Sequence, residues 1–136
     1  MKVFLTTIVV LMYTMIYAQN SSLTVHITNC KNNKGKVMVA IFNTSESFLH
    51  KPLYGKVSEI KAQAAKVVFE NLPNGVYAIS TYQDENDNQK LDTGMFGIPK
   101  ERYGFSNDAK GSMGPPKYEA AKFQLNQQKT MVIKLH

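Results

Sequence analysis

Between Leu23 and Leu135 apolar residues recur in short runs of period two, and each run meets a turn signal before it is long enough for a helix. That rhythm restricts the chain to β-structure. Leu23, Val25 and Ile27 alternate with Thr24, His26 and Thr28, and the turn Asn32-Asn33-Lys34-Gly35 follows. Lys36 to Phe42 is apolar almost throughout, as in a strand central in its sheet or covered on both faces. Thr44 and Ser45 offer N-caps to a helical turn through Phe48 and Leu49, which Pro52 prevents from extending. Lys56 to Lys61 and Ala65 to Glu70 read as a hairpin closed by Ala62 to Ala64. Asn71-Leu72-Pro73-Asn74-Gly75 then turns the chain into Val76 to Gln83, where β-formers occupy both faces and neither is clearly the solvent one. Lys117 to Leu125 and Thr130 to Leu135 read as a closing hairpin. About seven short strands, almost no helix and no internal repeat predict an all-β fold, an antiparallel β-sandwich of immunoglobulin-like or prealbumin-like type, with a closed barrel as the alternative.

The first residues stand outside this pattern. Lys2, the apolar run Val3 to Ile16 and the small residue Ala18 before Gln19 have the layout of a secretory signal peptide, and the run is too short to span a membrane comfortably. The expected organisation is therefore a signal peptide over residues 1–18 and one domain over 19–136, exported to the periplasm or the medium with no membrane span left after cleavage. A domain of that size can bury a core without staples. It has to, because Cys30 is the single cysteine and no intramolecular disulfide can form. The net charge of +6 comes almost wholly from lysine, with Arg102 the one arginine, which suits a solvated basic surface better than a nucleic-acid reader.

One local feature departs from the basic background. Four of the ten acidic residues fall between Asp84 and Asp92. Side-chain oxygens at Asp84, Asn86 and Asn88, the carbonyl of Lys90 and the carboxylate of Asp92 reproduce the alternate-residue spacing by which a loop wraps calcium. Hard oxygen donors without His or Cys select calcium over zinc. Gln89 stands where an EF-hand has its turn glycine and Met95 where it has its bidentate glutamate, so the loop is not an EF-hand. The competing reading is a plain polar turn.

Residues 94–116 hold five of the eight glycines and three of the five prolines, which predicts an ordered surface excursion and not a paired strand. Phe96, Tyr103 and Phe105 with the cations Lys100, Arg102 and Lys110 could receive an anionic glycan or an envelope protein on this loop; alternatively the aromatics pack inward as in an Ω-loop. Catalytic groupings are sparse: His26, His50 and His136 form no pair with metal-ligand spacing, and Cys30 has no base near it in sequence. The expected function is a calcium-stabilised, non-enzymatic binding or accessory domain. The alternatives are a metal-dependent hydrolase-like enzyme using Asp84, Asp92 and Glu101 around a metal-bound water, or a purely structural envelope protein.

Leu23-Thr24-Val25 with Lys34-Gly35-Lys36-Val37, Leu72-Pro73-Asn74-Gly75-Val76-Tyr77-Ala78, Asp84-Glu85-Asn86 through Lys90-Leu91-Asp92, Phe96-Gly97-Ile98-Pro99-Lys100, Tyr103-Gly104-Phe105-Ser106-Asn107 and Gly114-Pro115-Pro116 together resemble a bacterial family catalogued as domain of unknown function family 2141. The resemblance covers nearly the whole mature chain. It implies an exported one-domain β-protein of a Gram-negative bacterium and brings no established activity. It also implies a departure: where relatives typically carry glycine in the acidic loop, this sequence has Asp87 and Gln89.

Overall fold

The computed structural model describes residues 19–136, and the expected signal segment lies outside them. Strands β1 (Asn20–Thr28), β2 (Lys36–Phe42), β3 (Tyr54–Glu59), β4 (Ala65–Pro73), β5 (Gly75–Asp84), β6 (Tyr103–Phe105), β7 (Phe123–Leu125) and β8 (Lys129–Lys134) are joined by turns and one helical turn, α1 (Tyr118–Ala121). The described residues are mostly β, with eight strands in two sheets where about seven were expected. The smaller sheet has the order β4-β1-β8. The larger runs β3-β2-β5, and the far edge of β5 is shared: Gly75 to Tyr77 pair with β7 and Ser80 to Tyr82 with β6.

The period-two pattern does in β1 what its chemistry requires. Ser21, Leu23, Val25 and Ile27 turn inward while the residues between them stay half-exposed. From the larger sheet, Val37, Val39 and Ile41 of β2 and Tyr77 and Ile79 of β5 join them in one buried cluster, with Ile133 and Leu135 at the chain end. A second, smaller cluster forms on the other face of the larger sheet, from Phe42, Ala78, Phe105, Phe48, Tyr118 and Ala121. Phe48 is brought there by the 43–53 segment, where the Thr44 hydroxyl accepts the Ser47 N–H and the Phe48 N–H returns to the Thr44 carbonyl. Its ring meets Phe42 edge-on at 5.3 Å and Tyr118 at 5.8 Å. Burying a phenyl ring there contributes about 1.5–3 kcal/mol. The two-sided apolar pattern of β5 is thus explained by two cores, one on each face.

Four expectations need correction. Lys61 and Ala64 do bridge a tight turn, with Ala62 and Gln63 at positive φ, but β3 and β4 do not form a hairpin. Val57 pairs with Met38 in the larger sheet and Val67 with Val25 in the smaller. The buried side chains of β4, Val67 and Phe69, belong to the main core, whereas β3 is exposed along nearly its whole length, so long-range burial overrides the local turn. The closing segments likewise separate: Lys117 to Leu125 is a helical turn followed by a three-residue strand beside β5, and β8 lies parallel to β1. The smaller sheet is therefore mixed, not antiparallel throughout. Finally, the 94–116 excursion contains the paired strand β6. Its central Gly104 is required by packing, since a Cβ there would lie 2.8 Å from the Lys134 carbonyl oxygen and 2.9 Å from the Ile133 side chain.

Candidate functional site

At one end of the larger sheet three buried polar side chains organise the loops. Gln83 is fully buried; its Oε1 accepts the Lys31 N–H at 2.8 Å and its Nε2 donates to the carbonyls of Asn32 and Lys34 and to Asn32 Oδ1. The 31–35 turn is folded around this amide. Gly35, at φ +70, closes it so tightly that a Cβ would collide with the Asp84 carbonyl. Asp84 accepts the N–H of Asn88 at 3.2 Å and of Gln89 at 2.7 Å, one on each oxygen. Glu101 accepts the N–H of Glu85 at 2.7 Å and of Asp92 at 2.8 Å in the same manner. All four oxygens of these two buried carboxylates are engaged by the backbone of the 85–92 loop. They act as struts that hold it closed.

The residues expected to ligate calcium are brought together only in part. Asn86 Nδ2 and Asn88 Nδ2 each donate to a different oxygen of Asp92 at 2.6 Å, so these three side chains converge. Asp84 stands with both oxygens facing N–H groups, and Lys90 donates its N–H to Asn88 Oδ1. Among the described residues no group of three or more His, Cys, Asp or Glu side chains is arranged to hold a metal ion. Of the hydrolase-like set Asp84, Asp92 and Glu101, the oxygens of Asp84 and Glu101 each accept one backbone N–H of the loop. Asp87 and Gln89, the two positions that depart from glycine, both adopt positive φ, 54° and 61°. The Tyr82 phenol lies close by, and its pKa is raised, first by burial and then by the negative charges of Asp84, Glu101 and Asp92.

A large concave feature adjoins this loop. It is a groove of about 890 Å³ on the outer face of the larger sheet, within the range of ligand pockets. Ala40, Ser80, Tyr82, Tyr103 and Phe105 form its floor, the 49–52 segment one wall and residues 93–99 and 111–115 the other. Among the described residues that line it there is no Lys, Arg, Asp or Glu, and His50 is the single imidazole. Ile98, Phe96 and Met113 stand at the mouth, 64%, 95% and 100% exposed.

The expected recognition loop is thereby divided. Phe96, Tyr103 and Phe105 line the groove, whereas Lys100 and Arg102 do not. Arg102 points to the opposite side, donating from Nη1 to the Asn29 carbonyl at 2.8 Å. Lys100 is exposed, with its stem near Gly94. The floor residues Ala40, Ser80 and Tyr82 escape a motif search, and the signal that could have found them is the apolar second face of β2 and β5. Cys30 is buried beside this end of the molecule; desolvation raises its pKa, which keeps the thiol protonated and inert.

Fold and site together define an all-β domain with a preformed, uncharged groove on its larger sheet. The chain belongs to domain of unknown function family 2141, described as an uncharacterized protein conserved in bacteria, which it matches over residues 25–133. No curated protein and no solved structure matches it.

Proposed function

We propose that this protein is an exported, non-enzymatic binding domain that receives an apolar ligand, or the apolar stretch of an envelope protein, in the groove on its larger sheet. The observation that carries this reading is the uncharged aromatic groove of about 890 Å³ with exposed apolar residues at its mouth. An anionic glycan fits less well, because Lys100 and Arg102 lie outside the lining. The architecture we assign is a β-sandwich of immunoglobulin-like or prealbumin-like type. Inward side chains of both sheets meet in one core, and the Tyr77 hydroxyl donates back to the Pro73 carbonyl, similar to the tyrosine corner of immunoglobulin-like domains. Export rests on Lys2, Val3 to Ile16 and Ala18. N-terminal sequencing of the periplasmic or extracellular product should begin at or within a residue or two of Gln19.

The binding test uses Nile red, a neutral dye whose emission brightens and shifts to the blue in apolar surroundings. The protein should show a saturable signal, and the double variant Phe96→Ser/Met113→Ser, altered only at exposed positions, should weaken it. Absence of any saturable signal refutes the groove reading.

The convergence of Asn86, Asn88 and Asp92 favours a second role for the acidic loop, as a calcium-dependent stabiliser. Rotating the two amides by half a turn exchanges their NH₂ groups for Oδ1 and presents three oxygen ligands, at the cost of the N–H bonds that Asn86 and Asn88 Oδ1 accept from Asn88 and Lys90. Native-state binding must then raise thermal stability, and a calcium concentration 100 times Kd would add about 2.7 kcal/mol. Identical melting in chelator and in millimolar calcium removes this reading.

A further inference from the structure

The groove and its rim carry opposite shapes on one surface. The wall formed by residues 93–99 and 111–115 bears Met95, Phe96, Ile98 and Met113, which are 79%, 95%, 64% and 100% exposed, and the uncharged floor of Ala40, Ser80 and Phe105 lies beside it. Exposed apolar side chains next to an apolar hollow are self-complementary. A two-fold axis running between wall and floor lays the wall of each copy over the floor of the other, and the contact closes on itself. The charge distribution agrees with this. The chain has a net charge of +6, so two copies repel one another over most of their surfaces, whereas among the described residues that line the groove none is a Lys, Arg, Asp or Glu. Two such faces meet without opposing like charges and without taking a charge out of water. A partner selected by its negative charge is drawn to the lysines outside the groove instead.

We propose that a second copy of this chain occupies the groove reciprocally, the Phe96, Ile98 and Met113 side chains of each copy lying on the floor of the other, so that the protein forms a two-fold dimer. The proposal rests on the groove reading above and names the apolar stretch that the groove receives. Phe96 is held at φ 62°, in the left-handed region that a bulky residue enters only at a cost, and strain of that kind gathers where a surface is used. The size of the contact suffices. Four side chains this large and this exposed carry roughly 150 Å² each, and with the floor and wall they cover the two reciprocal contacts bury roughly 1,200–1,600 Å² in total. That lies in the lower part of the range of specific interfaces, so the dimer is reversible, with a Kd in the micromolar range.

The test is sedimentation of the full mature protein over a concentration range from roughly 1 μM to 1 mM, which brackets that Kd. The parent should pass from monomer to dimer within the range. Phe96→Ser/Met113→Ser, which removes the inserted side chains and leaves the floor intact, should weaken association at least tenfold. Ser80→Trp, which fills the floor and leaves the inserted side chains intact, should do the same; circular dichroism checks that it folds, and Ala40→Leu, a smaller filling of the same floor, serves in its place if it does not. An equimolar mixture of the two variants should form a heterodimer more tightly than either variant pairs with itself, because one inserted side-chain set and one open floor remain between them. A monomer throughout the range overturns the proposal, as does a dimer that persists in both variants or a mixture that associates no better than its components. The groove reading is separated by Nile red: a monomeric parent that binds the dye saturably keeps the groove for a small apolar ligand, and a monomeric parent that does not bind it overturns both.

Discussion

Removing the Glu101 carboxylate should loosen the 85–92 loop by an amount that can be worked from its partners. Its two oxygens accept the N–H groups of Glu85 and Asp92, at 2.7 and 2.8 Å, and the side chain is only 6% exposed. In Glu101→Ala both donors lose a charged acceptor, and a hydrogen bond of that kind contributes about 1.5–3 kcal/mol. Glu85 and Asp92 are themselves half-buried, so water reaches part of what the carboxylate leaves, and the lower end of the range applies. The expected loss is about 2–4 kcal/mol, a large part of the 5–15 kcal/mol by which such domains are stable. For a domain of this size that lowers Tm by about 10 °C or more. Glu101→Gln keeps the volume but turns an NH₂ group toward one of the two donors, so it should fall roughly halfway. Hydrogen exchange localises the effect: the amides of Glu85 and Asp92 should exchange faster in both variants, while those of Val25 and Ile79 follow global stability alone. A Tm within about 2 °C of the parent, with unchanged exchange at Glu85 and Asp92, would show that Glu101 is not the strut described.

Three further outcomes follow from single features. Thr81 is buried with no partner for its hydroxyl among the described residues, so Thr81→Val, nearly isosteric, should stabilise by about 1 kcal/mol in urea unfolding, and a loss of stability would mean that the hydroxyl has a partner. Gln89 holds φ at 61°, and Gln89→Gly should relieve that strain for a gain of about 0.5–1 kcal/mol, whereas a loss would mean that the residue sits in ordinary backbone space. Tyr82 and Cys30 have pKa values raised above 10.0 and 9.0, chiefly by burial. Each holds its proton more tightly folded than unfolded, so their contribution is complete below about pH 9 and is lost as pH climbs through the raised values. Urea midpoints should fall between about pH 9 and 11, and less steeply in Tyr82→Phe/Cys30→Ala; parallel profiles for parent and variant would refute this.

The strands legible in the sequence are those whose side chains alternate. β1 and β2 fall where the pattern of Leu23, Val25 and Ile27 and the apolar run Val37 to Phe42 place them. Partnership was not legible. The turn at Ala62 and Gln63 is tight enough for a hairpin, yet Val67 and Phe69 must reach the main core, and that demand is met only beside β1. Nothing local encodes it, because the compensating contacts are with residues some forty positions away. The same limit made a hairpin of the last two segments, although Ile133 belongs to the layer of Ile27 and pairs with it in parallel.

The acidic loop shows a second limit. Its composition fits both a calcium site and a polar turn, and oxygen count alone cannot separate them. What the sequence hides is how the loop is held: its N–H groups at Glu85 and Asp92 are gathered by Glu101, a residue nine positions beyond Asp92. The 94–116 segment fails for a related reason. Its glycines suggested irregular chain, but Gly104 is the residue that lets β6 pass against β8, and once Tyr103 to Phe105 is a strand its side chains must alternate, with Arg102 immediately before it on the other side. Tyr103 and Phe105 then face the groove while Arg102 turns to Asn29, and the mixture of aromatics and cations seen along the sequence resolves into two surfaces. An apolar groove therefore survives inside a lysine-rich chain because the three-residue strand turns Tyr103 and Phe105 toward it, while Arg102, just before the strand, bonds to Asn29.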